Sequence, residues 1–338
     1  MTENKQYFCE ELNNVLSCFH DRIMSCCSGQ IGPVYYENYR GEKIDWDAFR
    51  KVKTDGFALL NDKDIHKSPC KNCFFLRERK PEDVISPVFT VLNISHWLQC
   101  NCGCIYCARM YSSHGKISQE SGKSEFYDMV PLIKELYQQE LLDRKNLLVS
   151  IQGGDISVLD EFEPMVKEIL KNGVGKFDIL SNNIKYQPII KHLLDIDKTC
   201  FRTALDCADR ELYKKLKRVD KFNESVNNLK QYAKSKHPEN VVVKYIIIEH
   251  LNDNIETINS FIDLVSDIGL SQVELMIDNK YALFTNLDEK PLPAHYKDLY
   301  YAFKQRCGEK KITLHLWTKT EHIINKYLLS KEEKRTEE

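Results

Sequence analysis

The residues best suited to chemistry in this sequence are its 13 cysteines. Eight of them lie in three tight groups, and the most regular group is Cys100, Cys104 and Cys107, with the spacing C-x3-C-x2-C. Clustered thiols in a reducing compartment indicate metal binding rather than disulfides. Thiolates are the usual ligands of 4Fe–4S clusters, and three of them leave one iron open for a further ligand. The spacing therefore favours an iron–sulfur site.

Two other interpretations of this group stay open from the residues alone. A zinc knuckle needs four ligands, commonly two C-x2-C pairs. With Cys102 as the fourth ligand, Cys100, Cys102 and Cys104 would point to alternating sides. The other alternative is a redox pair of Cys104 and Cys107, which gives Cys100 no role.

The cysteine group directly follows the first of a series of alternating strand and helix patterns. The predicted strands are 88–94, 147–151, 177–180, 200–205, 241–248 and 273–277. The predicted helices are 126–141, 162–170, 186–194, 255–268 and 296–307, and the segment 212–232 is predicted to be mostly helical. Six β/α units predict the α/β class, with parallel strands and helices outside. Near-continuous apolar strands fit burial on both faces. The pattern alone fits an open sheet or a full or partial barrel.

Functional residues of such sheets lie where strands end and loops begin. That rule selects the segment after residue 94, the stretches 153–155, 181–183 and 249–252, and two acids, Asp206 and Asp278.

With Tyr106 just before its last cysteine, the segment reads C-x3-C-x-aromatic-C after the first strand, which resembles the radical S-adenosylmethionine (SAM) superfamily. The resemblance covers about residues 87–278. It implies a partial (β/α)6 TIM-like barrel and a 4Fe–4S cluster on Cys100, Cys104 and Cys107. It further implies that SAM binds the open iron and is cleaved by one electron to a 5′-deoxyadenosyl radical, which abstracts hydrogen from a substrate.

The resemblance also implies a set of cofactor-binding residues. Tyr106 matches the aromatic position beside the adenine. Gly153 and Gly154 match the glycines that let the backbone approach closely. Asp155 matches an acid that receives the methionyl ammonium, although it is one methylene shorter than the family's Glu. A plain β-turn is the alternative for this stretch.

Further polar residues near the predicted strand ends join that set. Ser181 and Asn182 resemble the family's stretch facing the ribose or carboxylate of the cofactor, and Arg202 and Asp206 in the fourth strand are additional candidates. Lys244 lies in the apolar run VVVKYIII and needs a partner. A cofactor carboxylate or an ordinary salt bridge would serve.

The first 84 residues form a small irregular cysteine-rich module by their pattern. Its cysteines resemble those of the auxiliary-cluster modules called SPASM and twitch, which implies a second 4Fe–4S cluster on ligands drawn from Cys9, Cys26, Cys27, Cys70 and Cys73. A zinc knuckle is the alternative. The expected domains are 1–84, a radical SAM barrel over 85–318, and a C-terminal helix and charged tail over 319–338. The remaining cysteines are predicted to be unligated.

Composition limits the partners. The net charge is −2, which does not favour a dedicated nucleic-acid binder. The sequence contains neither a run of about 18 apolar residues nor a signal-peptide pattern, so we expect no membrane contact and a cytoplasmic location. The expected partners are a peptide, sugar or other small-molecule substrate and an electron donor such as flavodoxin or ferredoxin. A non-catalytic iron–sulfur protein and a zinc-stapled binding module are the competing functions.

Overall fold

The computed structural model describes residues 6–25, 34–61, 70, 73, 75–107, 127–283, 287–288 and 291–329. The chain divides into two compact units, which comprise residues 1–99 with 123–179, and residues 100–122 with 180–338. The three expected domains, 1–84, 85–318 and 319–338, remain a prediction.

The first unit is built on a mixed sheet. Its strands are β1 (Tyr7–Cys9), β2 (Val15–Phe19), β3 (Arg22–Met24), β4 (Val34–Glu37), β5 (Leu76–Glu78), β6 (Val91–Ser95), β7 (Leu148–Ile151) and β8 (Lys176–Leu180). Six of them follow the order β8-β7-β6-β2-β3-β4, while β1 pairs with β5. The pairs β2–β6, β6–β7 and β7–β8 are parallel, and β2–β3 and β3–β4 are antiparallel. The N-terminal segment therefore extends the same sheet as the first strand of the predicted barrel.

Four helices pack in this unit: α1 (Glu10–Asn14), α2 (Trp46–Leu60), α3 (Met129–Gln138) and α4 (Phe162–Asn172). Asp45 caps α2 by accepting hydrogen bonds from the N–H groups of Asp47 and Ala48. Asp128 caps α3 in the same way. The N-terminal region is therefore more regular than its sequence pattern indicates, with a helix of 15 residues at α2.

The second unit has four parallel strands in the order β12-β11-β10-β9. These are β9 (Thr199–Ala204), β10 (Val241–Ile247), β11 (Gln272–Ile277) and β12 (Thr313–Leu316). The helices are α5 (Pro188–Asp195), α6 (Arg210–Lys217), α7 (Phe222–Tyr232), α8 (Ile255–Ile268), α9 (Asn279–Leu283), α10 (Tyr296–Lys310) and α11 (Thr318–Ile323), followed by a π-helical turn at Ile324–Leu328.

The predicted α/β class with largely parallel strands is confirmed, and each strand expected after residue 85 is present within a few residues of its predicted ends. Residues 212–232 are mostly helical, as predicted, and belong to two helices, α6 and α7. Arg218 adopts a left-handed backbone with φ 58° and ends α6. No helix among the described residues is long and apolar enough to cross a membrane.

A buried neutral pair lies behind the loop that leaves β6. His96 is fully buried, and its Nε2 contacts Oε1 of Glu161, whose Oε2 accepts a hydrogen bond from the N–H of Met129 at 3.2 Å. Burial raises the pKa of Glu161 to about 8, helped by the nearby Asp128 carboxylate, and burial lowers the pKa of His96 to about 3. The contact is therefore a hydrogen bond between two neutral groups at pH 7, not an ion pair.

Glu161→Gln should remove a pH dependence of stability. Because the pKa of Glu161 is raised in the folded state, its stabilising effect is present at low pH and is lost as pH rises through about 8, whereas the effect of His96 is lost only as pH falls below about 6.5. Between pH 6.5 and 9 the wild type should lose on the order of 1–2 kcal/mol of unfolding free energy more than Glu161→Gln. Urea unfolding at several pH values measures this, and Glu163→Gln on the same helix is the exposed control. Parallel curves for wild type and Glu161→Gln would contradict the assignment.

Candidate functional site

The loop from Cys100 to Cys107 contains neither helix nor strand, and the end of α6 holds it in place. The N–H of Gly103 donates to the carbonyl of Lys217 at 3.0 Å, and the N–H of Ile105 donates to that of Leu216 at 3.0 Å. These carbonyls belong to the last turn of α6, where no N–H group of the helix is available to donate to them. A further turn, with the N–H of Cys107 donating to the carbonyl of Cys104, fixes the spacing of the last two thiols.

Beneath this loop, one buried carboxylate collects three donors. Oδ2 of Asp206 accepts hydrogen bonds from the Tyr106 hydroxyl and from Nζ of Lys217, the latter at 2.6 Å. Oδ1 of Asp206 accepts from the N–H of Ile246 at 2.9 Å. The side chains of Lys217 and Asp206 are 2% and 0% exposed. Through these hydrogen bonds, Asp206 at the end of β9 connects the loop, α6 and β10.

Lys217 is charged in this arrangement. Burial by itself lowers the pKa of its ammonium, but the Asp206 carboxylate more than offsets burial and raises the pKa well above its usual value. Two opposite charges removed from water stabilise each other only when both are fully hydrogen-bonded. Sequence reasoning selected Asp206 and Tyr106 but missed Lys217, which stands among the exposed lysines of α6 and carries no distinguishing pattern.

The thiols of the loop interact with one another. A hydrogen bond from Cys102 lowers the pKa of Cys104 to about 6 despite burial, with a smaller contribution from the positive charge of Lys217. Hydrogen bonds to Cys100 and Cys104 raise the pKa of Cys102 well above its usual value. Thiolates are the form that binds iron. The donor set of Cys100, Cys104 and Cys107 therefore fits an iron–sulfur cluster, with Cys102 as a neutral thiol among them.

The predicted residues at 181–183 divide between two roles. Nδ2 of Asn182 donates to Oδ1 of Asn101 and lies 3.7 Å from Sγ of Cys100, so Asn182 lies at the cysteine loop. Asn183 is buried and donates to the carbonyl of Ser225 at 2.9 Å, which fixes the turn to α7. The Ser181 hydroxyl accepts a hydrogen bond from the N–H of Asn183. Asn182 therefore contacts the cysteine loop directly.

In the first unit, Gly153–Asp155 packs against the segment that leads into the cysteine loop. The N–H of Gly154 donates to the carbonyl of Trp97 at 3.2 Å, and that of Asp155 donates to the carbonyl of Gln99 at 2.8 Å. A Cβ on Gly154 would lie 1.7 Å from the carbonyl oxygen of Gln99, so no side chain fits there. Gln99 is bonded to Cys100, and the glycine thus fixes where the loop starts.

Asp155 caps the short helical turn that follows it. Its carboxylate is buried, and Oδ1 accepts a hydrogen bond from the N–H of Ser157 at 2.9 Å as the cap of a short 3-10 helix, Ile156–Val158. Its carbonyl accepts from the indole N–H of Trp97. The role of this carboxylate toward a methionyl ammonium remains a prediction.

Arg202 and Lys244 meet at one carboxylate that sequence reasoning missed. Nη1 of Arg202 hydrogen-bonds Oε2 of Glu274, and Nζ of Lys244 lies 3.1 Å from Oε1 of the same group. Glu274 faces Lys244 across the parallel pair of β10 and β11 and is 4% exposed. The structure thus contains the salt bridge that was one alternative for Lys244. The signal for Glu274 was available, because a lone acid in the apolar strand VELMI has the same pattern as the lone lysine.

The cysteines of the predicted second site are only partly described. Cys9 and Cys70 pack against one small core formed by Phe8, Leu12, Phe57 and Leu60, and the N–H of Cys73 donates to the carbonyl of Cys70 at 2.9 Å. Cys26 and Cys27 lie outside the described residues. Across the described part of the chain, the loop of Cys100, Cys104 and Cys107 included, no three His, Cys, Asp or Glu side chains converge closely enough to hold a single metal ion. The thiolates of a 4Fe–4S cluster bind different irons and need not converge on one ion. The second cluster remains a prediction.

The profile of the radical SAM superfamily matches residues 94–265, and the chain therefore belongs to that superfamily. Its members are enzymes, and membership implies a 4Fe–4S cluster and SAM, as the cysteine spacing predicts. The match begins at the end of β6 and includes the cysteine loop, Gly153–Asp155 and Asn182.

Solved structures with this fold include SuiB from Streptococcus suis, which is 12% identical over 83% of this chain and 56% of SuiB, with a TM-score of 0.50. SuiB bound to S-adenosylmethionine gives a TM-score of 0.51 at 12% identity over 80% of this chain and 55% of SuiB. SuiB bound to its precursor peptide SuiA gives 0.50 at 12% identity, with 84% and 56% covered. At this identity the likeness shows the fold alone.

One curated relative is the molybdenum cofactor biosynthesis protein moc-5 of Caenorhabditis elegans, which is 24% identical over 189 residues. The match covers 56% of this chain and 30% of the relative. The chain thus spans less than a third of moc-5 and about half of SuiB.

Lys217→Met should destabilise the protein strongly, because it leaves the Asp206 carboxylate buried without a counter-charge. We expect a loss of about 3–5 kcal/mol in the free energy of unfolding, of which the double variant Lys217→Met/Asp206→Asn recovers at least half, since it removes both charges. Urea unfolding measures both. Lys215→Met on the exposed face of α6 is the control and should stay within about 0.5 kcal/mol of wild type. A Lys217→Met variant as stable as that control would show that the pair does not hold the loop.

Proposed function

We propose that this chain is a radical SAM enzyme that cleaves S-adenosylmethionine reductively to a 5′-deoxyadenosyl radical and uses it to abstract hydrogen from a substrate, with a peptide as the favoured substrate class. The observation that carries the proposal is the cysteine loop. Three thiols spaced for one cluster lie on a loop that buried contacts hold at both its start and its end.

Cys100, Cys104 and Cys107 would hold the cluster. When bound, the cluster supplies one electron to the sulfonium and leaves one iron for the amino and carboxyl groups of SAM. The residues of the chain provide placement. Gly154 fixes the entry to the loop by its close approach to Gln99, and the pair of Asp206 and Lys217 fixes its end through the Tyr106 hydroxyl.

The cofactor-binding roles follow from the position and exposure of each side chain. Asn182 is a donor at the loop, where it would contact the cofactor. The Arg202 side chain is 30% exposed and hydrogen-bonds Glu274 through Nη1, and we assign its guanidinium to a carboxylate of the cofactor. Lys244 is more buried and would support Arg202 through their shared partner. Asp206 has both oxygens engaged within the protein, and we assign it to positioning Tyr106.

For the substrate, the likeness in fold to SuiB with a bound precursor peptide supports a peptide. The partial match to a molybdenum cofactor biosynthesis protein supports a small metabolite as the second candidate. A short peptide gene or a glycan cluster beside this gene would distinguish the two classes. The proposal includes an external electron donor such as flavodoxin or ferredoxin.

Two functions from other classes compete with this one. A non-catalytic iron–sulfur protein would bind iron without cleaving SAM, and a zinc-stapled module would contain zinc and no iron. Membership in the radical SAM superfamily argues against both. Metal analysis after anaerobic purification separates zinc from iron directly.

Release of 5′-deoxyadenosine tests the proposed reaction. Anaerobic, reconstituted protein with dithionite and S-adenosylmethionine should release it, and Cys104→Ala should lower the rate at least about a hundredfold because the cluster loses a ligand. Cys102→Ala lies in the same loop and should keep most of the release, since Cys102 is not assigned as a ligand. Chromatography measures the product. Release by Cys104→Ala at the wild-type rate would exclude the ligand assignment.

Iron retention tests the second cluster. A Cys100/Cys104/Cys107 triple Ala variant should retain about four irons per chain if the N-terminal cysteines hold a second 4Fe–4S cluster. Iron and sulfide analysis with the visible spectrum measures this. Adding Cys70→Ala and Cys73→Ala should remove the remainder, whereas retained zinc without iron would favour the zinc knuckle.

A further inference from the structure

A cavity of about 660 Å³ lies in the first unit, away from the segment that leads into the cysteine loop. Its walls come from α2, from residues 85–89 before β6 and from residues 139–141 before β7. These segments precede the amino ends of their strands, whereas the cysteine loop follows the carboxyl end of β6. The volume is in the range of small-molecule sites.

The floor of the cavity is aromatic. Tyr35 and Phe49 stack with ring centroids 4.2 Å apart, and Phe89 meets Tyr35 edge-on at 6.0 Å. All three rings are buried, and the Tyr35 hydroxyl is already engaged with the hydroxyl of Ser25 at 2.8 Å. The three rings therefore line the cavity with apolar atoms.

A buried cation lines the same space. Lys53 is 5% exposed, its Nζ donates to the carbonyl of Ser86 at 2.7 Å and lies 3.4 Å from that of Val88, and it stands 4.2 Å from the centroid of the Phe89 ring. Among the described residues no carboxylate pairs with it. Burial lowers the pKa of Lys53 to about 8, which reflects the cost of an ammonium without a counter-charge.

The other charged groups of the cavity lie at its mouth. Arg50, one turn before Lys53 on α2, is half-exposed and donates to Oε1 of Gln139 at 2.7 Å. Glu140 is exposed. The interior thus carries a positive charge and the outer part carries one charge of each sign.

We propose that this cavity binds a small organic anion with a flat apolar body, of the aromatic carboxylate class. The carboxylate would pair with the ammonium of Lys53, which has a third N–H beyond the two directed at carbonyls, and the ring would pack against Tyr35 and Phe49. A carboxylate supplies the single negative charge that one buried ammonium lacks. Inorganic phosphate matches less well, because phosphate sites use several converging donors. The inference does not depend on the radical chemistry.

Calorimetric titration of the full, reconstituted protein with benzoate tests the site, with acetate and inorganic phosphate as comparison ligands. Benzoate should bind saturably at one site per chain, and acetate at least tenfold more weakly because it lacks the ring. Lys53→Met keeps the length of the apolar stem and should weaken benzoate binding at least tenfold. Lys51→Met, 75% exposed on the same helix, should bind benzoate as wild type does.

Arg50→Met covers the case in which Lys53→Met fails to fold. Arg50 is half-exposed at the mouth, so its loss should leave the melting temperature unchanged and weaken benzoate about threefold. Absence of saturable benzoate binding, equal affinity in Lys53→Met and wild type, or tighter binding of phosphate than of benzoate would each overturn the proposal. Lys53 variants that still release 5′-deoxyadenosine show that the site is separate from the reaction.

Discussion

The buried pair of Asp206 and Lys217 is the interaction on which the position of the cysteine loop depends. The loop has no helix or strand of its own, and the pair joins it to α6, β9 and β10 through Tyr106 and the N–H of Ile246. Each charge is fully removed from water, so each requires the other. An arrangement of this kind adds little to stability compared with apolar packing, but it has only one geometry. That property suits a loop whose three thiols must converge on one inorganic cluster.

Backbone geometry provides the other constraint on the loop. Gly154 lies so close to the carbonyl of Gln99 that a methyl group is excluded, and Asp155 hydrogen-bonds the same carbonyl. The residue after Gln99 is the first cysteine. Gly154 thus allows close packing of the chain that leads into the loop. A glycine that makes room for a ligand would also need to lack a side chain, but its role would be different.

Charged side chains in the second unit illustrate how a parallel sheet carries polar groups on a buried face. Arg202, Lys244 and Glu274 lie on three adjacent strands. Both cations contact the carboxylate of Glu274. The cluster has a net positive charge and Arg202 is partly exposed, so it is suited to an anionic group. In the first unit the polar pair of His96 and Glu161 is instead neutral, because burial disfavours the charged form of each group.

The sequence by itself determined the α/β class, the strands after residue 85, the three-cysteine loop, and the two glycines Gly153 and Gly154. These signals are local, since a buried parallel strand is a short apolar run and cluster ligands lie within eight residues of one another. It did not show the short strands of the first 37 residues, because β1 pairs with the distant β5 and β2 with the distant β6, and it did not show the break at Arg218. Only the tertiary structure decided that Lys217 neutralises Asp206, that Glu274 neutralises Arg202, and that Lys53 is buried with no carboxylate beside it among the described residues. The free energy of a buried charge depends on what surrounds it in space, not on its neighbours in sequence.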